Sequence, residues 1–310
     1  MLEIYIYTLS SEMVNKIPGR CPEEEINELP LFDPDTIHPK EFNLVNAPRG
    51  SGKSVLLEHW GLFMAPKIVL PLAISHSENH NGFFENYFKI PKAFIFDQFD
   101  DSIIEGAFMR NIKLKENPPG FSFETHASTH IFMDDLQDVK GLWNNPSMRK
   151  LAKLGRHAEI GATFLSQYAP SIEKAERSQV DRIACLHDSN LSNRAFIQEM
   201  GFADWSWTEF NTYYKYYTRN FGALVYSKNA PEHLKFTHFT ADPTISENID
   251  NIQIQWHPNS SANEFSKWFV KEDVVVDPTD WNKAKFGASQ LLSPYYTLGA
   301  NKKVKKAIRR

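Results

Sequence analysis

The chain has 310 residues, 42% apolar and 23% charged, a balance that suits one large globular domain with extensions, while 14 glycines and 18 prolines exclude collagen-like and low-complexity chains. A formal charge of −4 excludes a generally basic nucleic-acid coat, although six of the 34 basic side chains (Lys302, Lys303, Lys305, Lys306, Arg309, Arg310) crowd the last ten positions. Two cysteines, Cys21 and Cys185, are too few for a disulfide framework or a thiolate zinc site and suit a reducing compartment; no apolar run approaches the ~20 residues that span a bilayer, and the start lacks a basic secretory n-region.

Residues 1–36 read as an N-terminal extension, irregular around Pro22, Pro30 and Pro34 with a run of glutamates at 23–25. From residue 37 to 240, apolar strand-like runs alternate with helical ones, which predicts an α/β core with a largely parallel sheet flanked by helices. The predicted strands are Phe42–Asn46, Ile68–Leu72, Ala93–Asp97, His130–Asp134 and Ala162–Ser166. Met148, Leu151, Ala152 and Leu154 recur at helical spacing before the last of these. Phe221–Ser227 and Leu234–Phe239 flank the turn-rich Lys228–Pro231 and predict an antiparallel hairpin. Residues 241–310, with Trp256, Trp268 and Trp281 and the basic tail, read as a C-terminal appendage.

The stretch from Asn46 to Ser54 (NAPRGSGKS) follows an apolar strand and precedes a helical run, the context a phosphate-binding loop requires. In such a loop the backbone N–H groups of Pro48-Arg49-Gly50-Ser51-Gly52-Lys53-Ser54, Pro48 excepted, wrap phosphates at the positive end of a helix. Lys53 would reach the β- and γ-phosphates of ATP and the Ser54 hydroxyl would ligate Mg²⁺. Ala47 stands where the pattern has its first glycine, which is tolerable if its φ stays negative.

A phosphate loop calls for a carboxylate from a second strand. Ile131-Phe132-Met133-Asp134-Asp135 supplies one: Asp134 would hold the magnesium through water, and Asp135 would polarise the attacking water. The strand Ala162–Ser166 ends in Gln167, placed at a strand C-terminus where α/β folds bind ligands, and is read as a γ-phosphate sensor. Arg149, Lys153, Arg156 and His157 share one helix face just before it. Arg156, with Arg149 second, is the candidate for an arginine donated to a neighbouring subunit's nucleotide.

The segment GRHAEIGATFLSQ (155–167) followed by Tyr168-Ala169-Pro170-Ser171 resembles the arginine–strand–glutamine signature of the FtsK–HerA superfamily of DNA-pumping ATPases, and the chain looks most like its viral genome-packaging branch. The similarity covers about residues 42–240, with Lys53, Ser54, Asp134, Asp135, Gln167 and Arg156 at the motif positions. The resemblance implies a RecA-like ATPase core using ATP and Mg²⁺, a homo-oligomeric ring, double-stranded DNA driven into a preformed capsid, contacts with a capsid vertex or portal-like protein, and an intracellular setting in an infected host cell, with virion association. Other ring-forming nucleic-acid ATPases (a helicase, helicase loader or conjugative coupling protein) and a nucleotide-binding assembly switch are the alternatives.

A motor indifferent to sequence grips phosphates and not bases. Arg110, Lys113 and Lys115 are candidate pore-loop contacts, and Tyr213–Arg219 interleaves aromatics with basic groups, although core packing is the simpler reading of those tyrosines. The tail 301–310 is a further candidate for DNA or capsid contact. The pairs His76/His80 and His126/His130 lack an obvious third ligand and are assigned no metal.

Overall fold

Phe42–Asn46 forms β1 with every residue buried, as a strand covered on both faces of a parallel sheet should be. The computed structural model describes residues 26–115, 127–241 and 254–257. After β1 come α1 (Lys53–Met64), β2 (Leu70–Ser75), the single-turn α2 (Glu78–Asn81) and α3 (Phe83–Asn86), β3 (Ile95–Phe96) and α4 (Asp101–Lys115). These are followed by β4 (Thr129–Asp134), α5 (Pro146–Leu154), β5 (Ile160–Ser166), the short α6 (Lys174–Arg177), β6 (Arg182–Leu186), α7 (Leu191–Gly201), α8 (Trp207–Tyr217), β7 (Gly222–Ser227) and β8 (Phe236–Thr240).

The eight strands form one sheet in the order β3-β2-β4-β5-β1-β6-β7-β8. Pairings from β3 to β6 are parallel, and β6–β7 and β7–β8 are antiparallel, so the α/β core with its C-terminal hairpin is as the sequence predicts. Register places Ser75, Asp134, Ser166 and Asn46 along one edge of the sheet, at the C-terminal ends of the parallel strands. Leu56, Leu57, Trp60, Gly61 and Met64 are the face of α1 buried against this sheet, at helical spacing. Asn145 starts α5 by accepting from the N–H groups of Ser147 (2.8 Å) and Met148, with Pro146 in the first turn.

The strands depart from the sequence reading by one or two residues at several ends and more substantially in three places. The second strand runs Leu70–Ser75, not Ile68–Leu72, because its partner β4 pairs with it through Ser75↔Asp134. Pro71 fits inside it because β3 pairs only with Ala73 and Ile74, so no donor is needed from residue 71 on that side. The strand expected at Ala93–Asp97 shrinks to two residues, since Lys92–Phe94 takes a 3₁₀ turn after Pro91. β6 has no counterpart in the sequence reading: five residues that begin with Arg182 do not advertise a buried strand.

The described part of the first 36 residues packs on the core. Phe32 N–H donates to His238 O (2.8 Å) and His238 N–H to Pro30 O (3.1 Å), which covers the outer edge of β8 with backbone that would otherwise be open to pairing. Phe32 lies in the core against Trp60. Trp256 is also buried there and donates its indole N–H to Phe88 O (2.9 Å). Trp268, Trp281 and the tail 301–310 lie outside the described residues.

Candidate nucleotide site

The loop between β1 and α1 depends on two glycines in the left-handed region, Gly50 at φ +73° and Gly52 at φ +92°, where an L side chain would be strained. Ala47 is not among the non-glycine residues with positive φ, so its substitution for glycine costs no backbone strain. Its N–H donates to Ser166 O (2.9 Å), and Ser51 Oγ donates back to Pro48 O (2.7 Å), closing the turn on itself. Arg49, Gly50 and Ser54 are exposed, while Ala47 is fully buried.

Lys53, in the first turn of α1, reaches across to β4. Its Nζ lies 3.0 Å from Asp134 Oδ1, and both side chains are only about one-sixth exposed, at 14% and 16%. Residues 81 apart in sequence thus meet because β5 alone separates β1 from β4 in the sheet. The fold is that of a P-loop NTPase. Ser77 Oγ, just beyond β2, donates to the other oxygen of Asp134 (3.5 Å).

Asp135 follows directly and sits at φ +58°, an uncommon backbone conformation that aspartate tolerates better than most non-glycine residues. Gln167 Nε2 (3.1 Å) and Gln137 Nε2 (3.0 Å) both donate to Asp135 Oδ1. The predicted sensor amide and the predicted water-polarising carboxylate are therefore in direct contact. Behind them, buried Asn193 at the start of α7 donates to Asn46 Oδ1 (3.2 Å) and Gln167 O (3.3 Å) and accepts from Ala169 N–H (2.9 Å). It ties the end of β1 to the segment after β5. The sequence reading passed over Gln137, Ser77 and Asn193; only Gln137, two residues from Asp135, carried a local signal.

Arg156 lies elsewhere. It precedes β5, at the edge where β1 begins, and its guanidinium pairs with Asp181. That is the sheet edge opposite the phosphate loop of the same chain. Arg149 approaches buried Glu176 at 3.6 Å.

The proposed DNA contacts are redistributed. Arg110 is buried, 2% exposed, and donates to Asn111 Oδ1, so it does not present itself as a pore-loop cation; burial pushes its guanidinium down to about 9. Lys115 donates to His157 O (3.0 Å). Tyr213 and Tyr214 are buried, and the Tyr214 hydroxyl donates to Leu186 O, which makes these tyrosines packing residues. His130 is buried too, with Nδ1 2.6 Å from Pro39 O and Nε2 2.8 Å from Thr163 Oγ1, and burial pushes its imidazole down to about 4. His126 lies outside the described residues.

No protein-family model matches the chain. It is 28% identical over 193 residues to an uncharacterized protein, 088R, of Invertebrate iridescent virus 3, covering 62% of this chain and 66% of that one. It is 31% identical over 147 residues to uncharacterized protein 015R of Frog virus 3, covering 47% of this chain and 43% of that one. The chain thus matches less than two thirds of the length of each. Among solved structures, the genome packaging NTPase B204 of Sulfolobus turreted icosahedral virus 2 superposes with a TM-score of 0.47 at 15% identity, over 66% of this chain and 98% of that one. Among the described residues, no helix is long and apolar enough to cross a membrane.

Proposed function

We propose that this chain is a magnesium-dependent ATPase that works as a homo-oligomeric ring and drives double-stranded DNA into a preformed viral capsid. The observation that carries the reading is the convergence of Lys53 and Asp134 beside a phosphate loop held open by Gly50 and Gly52. The motif resemblance over residues 155–167 and the viral relatives support the packaging role.

In this reading, the loop N–H groups and Lys53 bind the phosphates. The residues present fit a magnesium ion: the Ser54 hydroxyl and Asp134 are the hard oxygen donors it prefers. Among the described residues no three His, Cys, Asp or Glu side chains converge to hold a metal, so phosphate and water would have to supply most of its shell. When bound, the ion would neutralise charge developing on the phosphates. Asp135 orients the attacking water, and the amides of Gln167 and Gln137 fix that carboxylate. Loss of the γ-phosphate would then be felt at Gln167 and passed through Asn193 to α7. Arg156 would leave Asp181 to stabilise the charge on a neighbour's nucleotide. Residues 1–36, 37–240 and 241–310 are the proposed extension, core and appendage, the last carrying the basic tail toward DNA, a capsid vertex or a portal-like protein in the infected cell or virion.

The deciding experiment measures ATP hydrolysis by the full chain with Mg²⁺, with and without DNA. Stimulation by duplex DNA is expected. Stimulation by single strands alone would point to a helicase, and nucleotide binding without turnover in any assembly state would point to a switch.

A further inference from the structure

Phe221 exposes 57% of its surface, yet it stands against the phosphate loop: a Cβ placed on Gly52 would lie 2.9 Å from Phe221 Cδ1 and 3.3 Å from its Cβ. The sequence suggests Phe221 as the first residue of a strand. Instead, β7 begins at Gly222, and Asn220 and Phe221 form two consecutive non-glycine residues in the left-handed region, at φ +50° and +62°. Asn tolerates that region, but a phenylalanine there is disfavoured by the close approach of its Cβ to the backbone. A buried ring could offset that cost through lost apolar surface, but this ring remains more than half in solvent.

Sheet order fixes which end of a nucleotide the ring would meet. Asp134 reaches the loop from β4, on one side of β1, whereas Phe221 reaches it from β7, on the other. β7 runs antiparallel to β6, so its first residues lie at the same sheet edge as the loop. A triphosphate whose outer phosphates lie toward Lys53 and Asp134 therefore carries its nucleoside toward Phe221.

We propose that Phe221 is the platform on which the base of the bound nucleoside triphosphate stacks. This rests on the phosphate-site reading above and deepens it. A ring that offers its face reads the face of a base and not its hydrogen-bonding edge. The site therefore favours purines over pyrimidines by stacking area and separates adenine from guanine poorly. It also gives Gly52 a second duty, since any side chain there would displace the ring.

The test is calorimetric titration of the full chain, in Mg²⁺, with a non-hydrolysable imido analogue of ATP and with inorganic tripolyphosphate. Phe221→Ala and Phe221→Gly are expected to weaken the analogue about five- to hundred-fold and to leave tripolyphosphate unchanged within about two-fold. Phe221→Trp should keep the analogue's affinity and add an indole emission change that tripolyphosphate does not produce. Because glycine relieves the left-handed strain, Phe221→Gly should melt no lower than the parent without nucleotide, which separates lost binding from lost folding. Equal losses for both ligands, or no loss for either, overturn the platform. So does a change in oligomeric size by light scattering with nucleotide affinity intact, which would assign the ring to a contact between copies. If the parent chain binds neither ligand, the phosphate-site reading fails and the platform falls with it.

Discussion

The two edges of the sheet are built differently. At the C-terminal edge of the parallel strands, residues with uncommon backbone gather: Gly50, Gly52, Asp135, and across the loop Asn220 and Phe221. Their polar groups form an open chain in which Lys53 leans on Asp134 and Gln167 on Asp135. At the opposite edge the charges are closed into pairs. Arg182 meets Glu41 at 3.1 Å with its guanidinium over the Phe32 ring, Lys40 meets Glu159 at 3.1 Å, and Asp181 accepts from Phe42 N–H (3.0 Å) as well as from Arg156. Burial raises the Glu41 carboxyl above its ordinary range and lowers the Arg182 guanidinium below its own, and the pairing of the two works against both shifts. Uncommon backbone is thus concentrated at the loop edge, with Glu159 (φ +56°) its counterpart at the other, where the polar groups are spent on holding the fold.

Substitutions at the two edges should separate activity from stability. Lys53→Ala is expected to lower ATP turnover by more than about 10³-fold, because the phosphates lose their charge partner. Arg156→Ala is the variant that can break the contrast. If this arginine acts on a neighbouring copy, turnover falls about 10³-fold, and mixing with Lys53→Ala subunits restores part of it. If turnover per folded protein is unchanged and only the melting temperature drops, Arg156 belongs wholly to the closed edge. Arg182→Ala should cost about 3 kcal/mol in urea unfolding, since it strands the Glu41 carboxylate, while leaving nucleotide affinity intact.

Acid should weaken the closed edge through His130. Its folded imidazole titrates near 4 and its unfolded one near 6.5. Below pH 6.5 the unfolded chain takes up a proton that the folded chain refuses. The contribution is therefore fully present above pH 6.5 and is lost progressively toward pH 4, by about 3 kcal/mol. Urea melts of the parent across that range should slope downward toward acid, and those of His130→Asn should lie flatter. The smallest effect is at Asp135: Asp135→Asn should reduce turnover about a hundred-fold while ATP still binds, as loss of a water-orienting carboxylate predicts.

Much of the core was legible in the chain itself. Apolar runs such as Phe42–Asn46 and His130–Asp134 name buried strands, and the glycine-rich turn before Lys53 names a phosphate loop, because both signals are local. Gln167 was legible for the same reason, at the end of an unbroken apolar strand. Phe221, Asn193 and Ser77 were not, since nothing near them in sequence distinguishes their placement beside the loop and the carboxylates from an ordinary turn or cap. Arg110 misled because a basic residue in a mixed helix reads as exposed until its burying neighbours are known. β6 was hidden because Arg182 and Cys185 interrupt its pattern, and its burial comes from β1 and β7 on either side.

What the sequence determined by itself was local chemistry: where a glycine-rich loop pattern stands, which strand ends in a pair of carboxylates, and that helices cross between parallel strands. Those follow from backbone freedom, charge and periodicity over a few residues. Only the tertiary structure decided location. It put β5 between β1 and β4, brought Lys53 to Asp134, sent Arg156 to the far edge and turned Phe221 onto Gly52, because strand order is fixed by how the whole set of apolar faces is buried together, and no short stretch of chain contains that information.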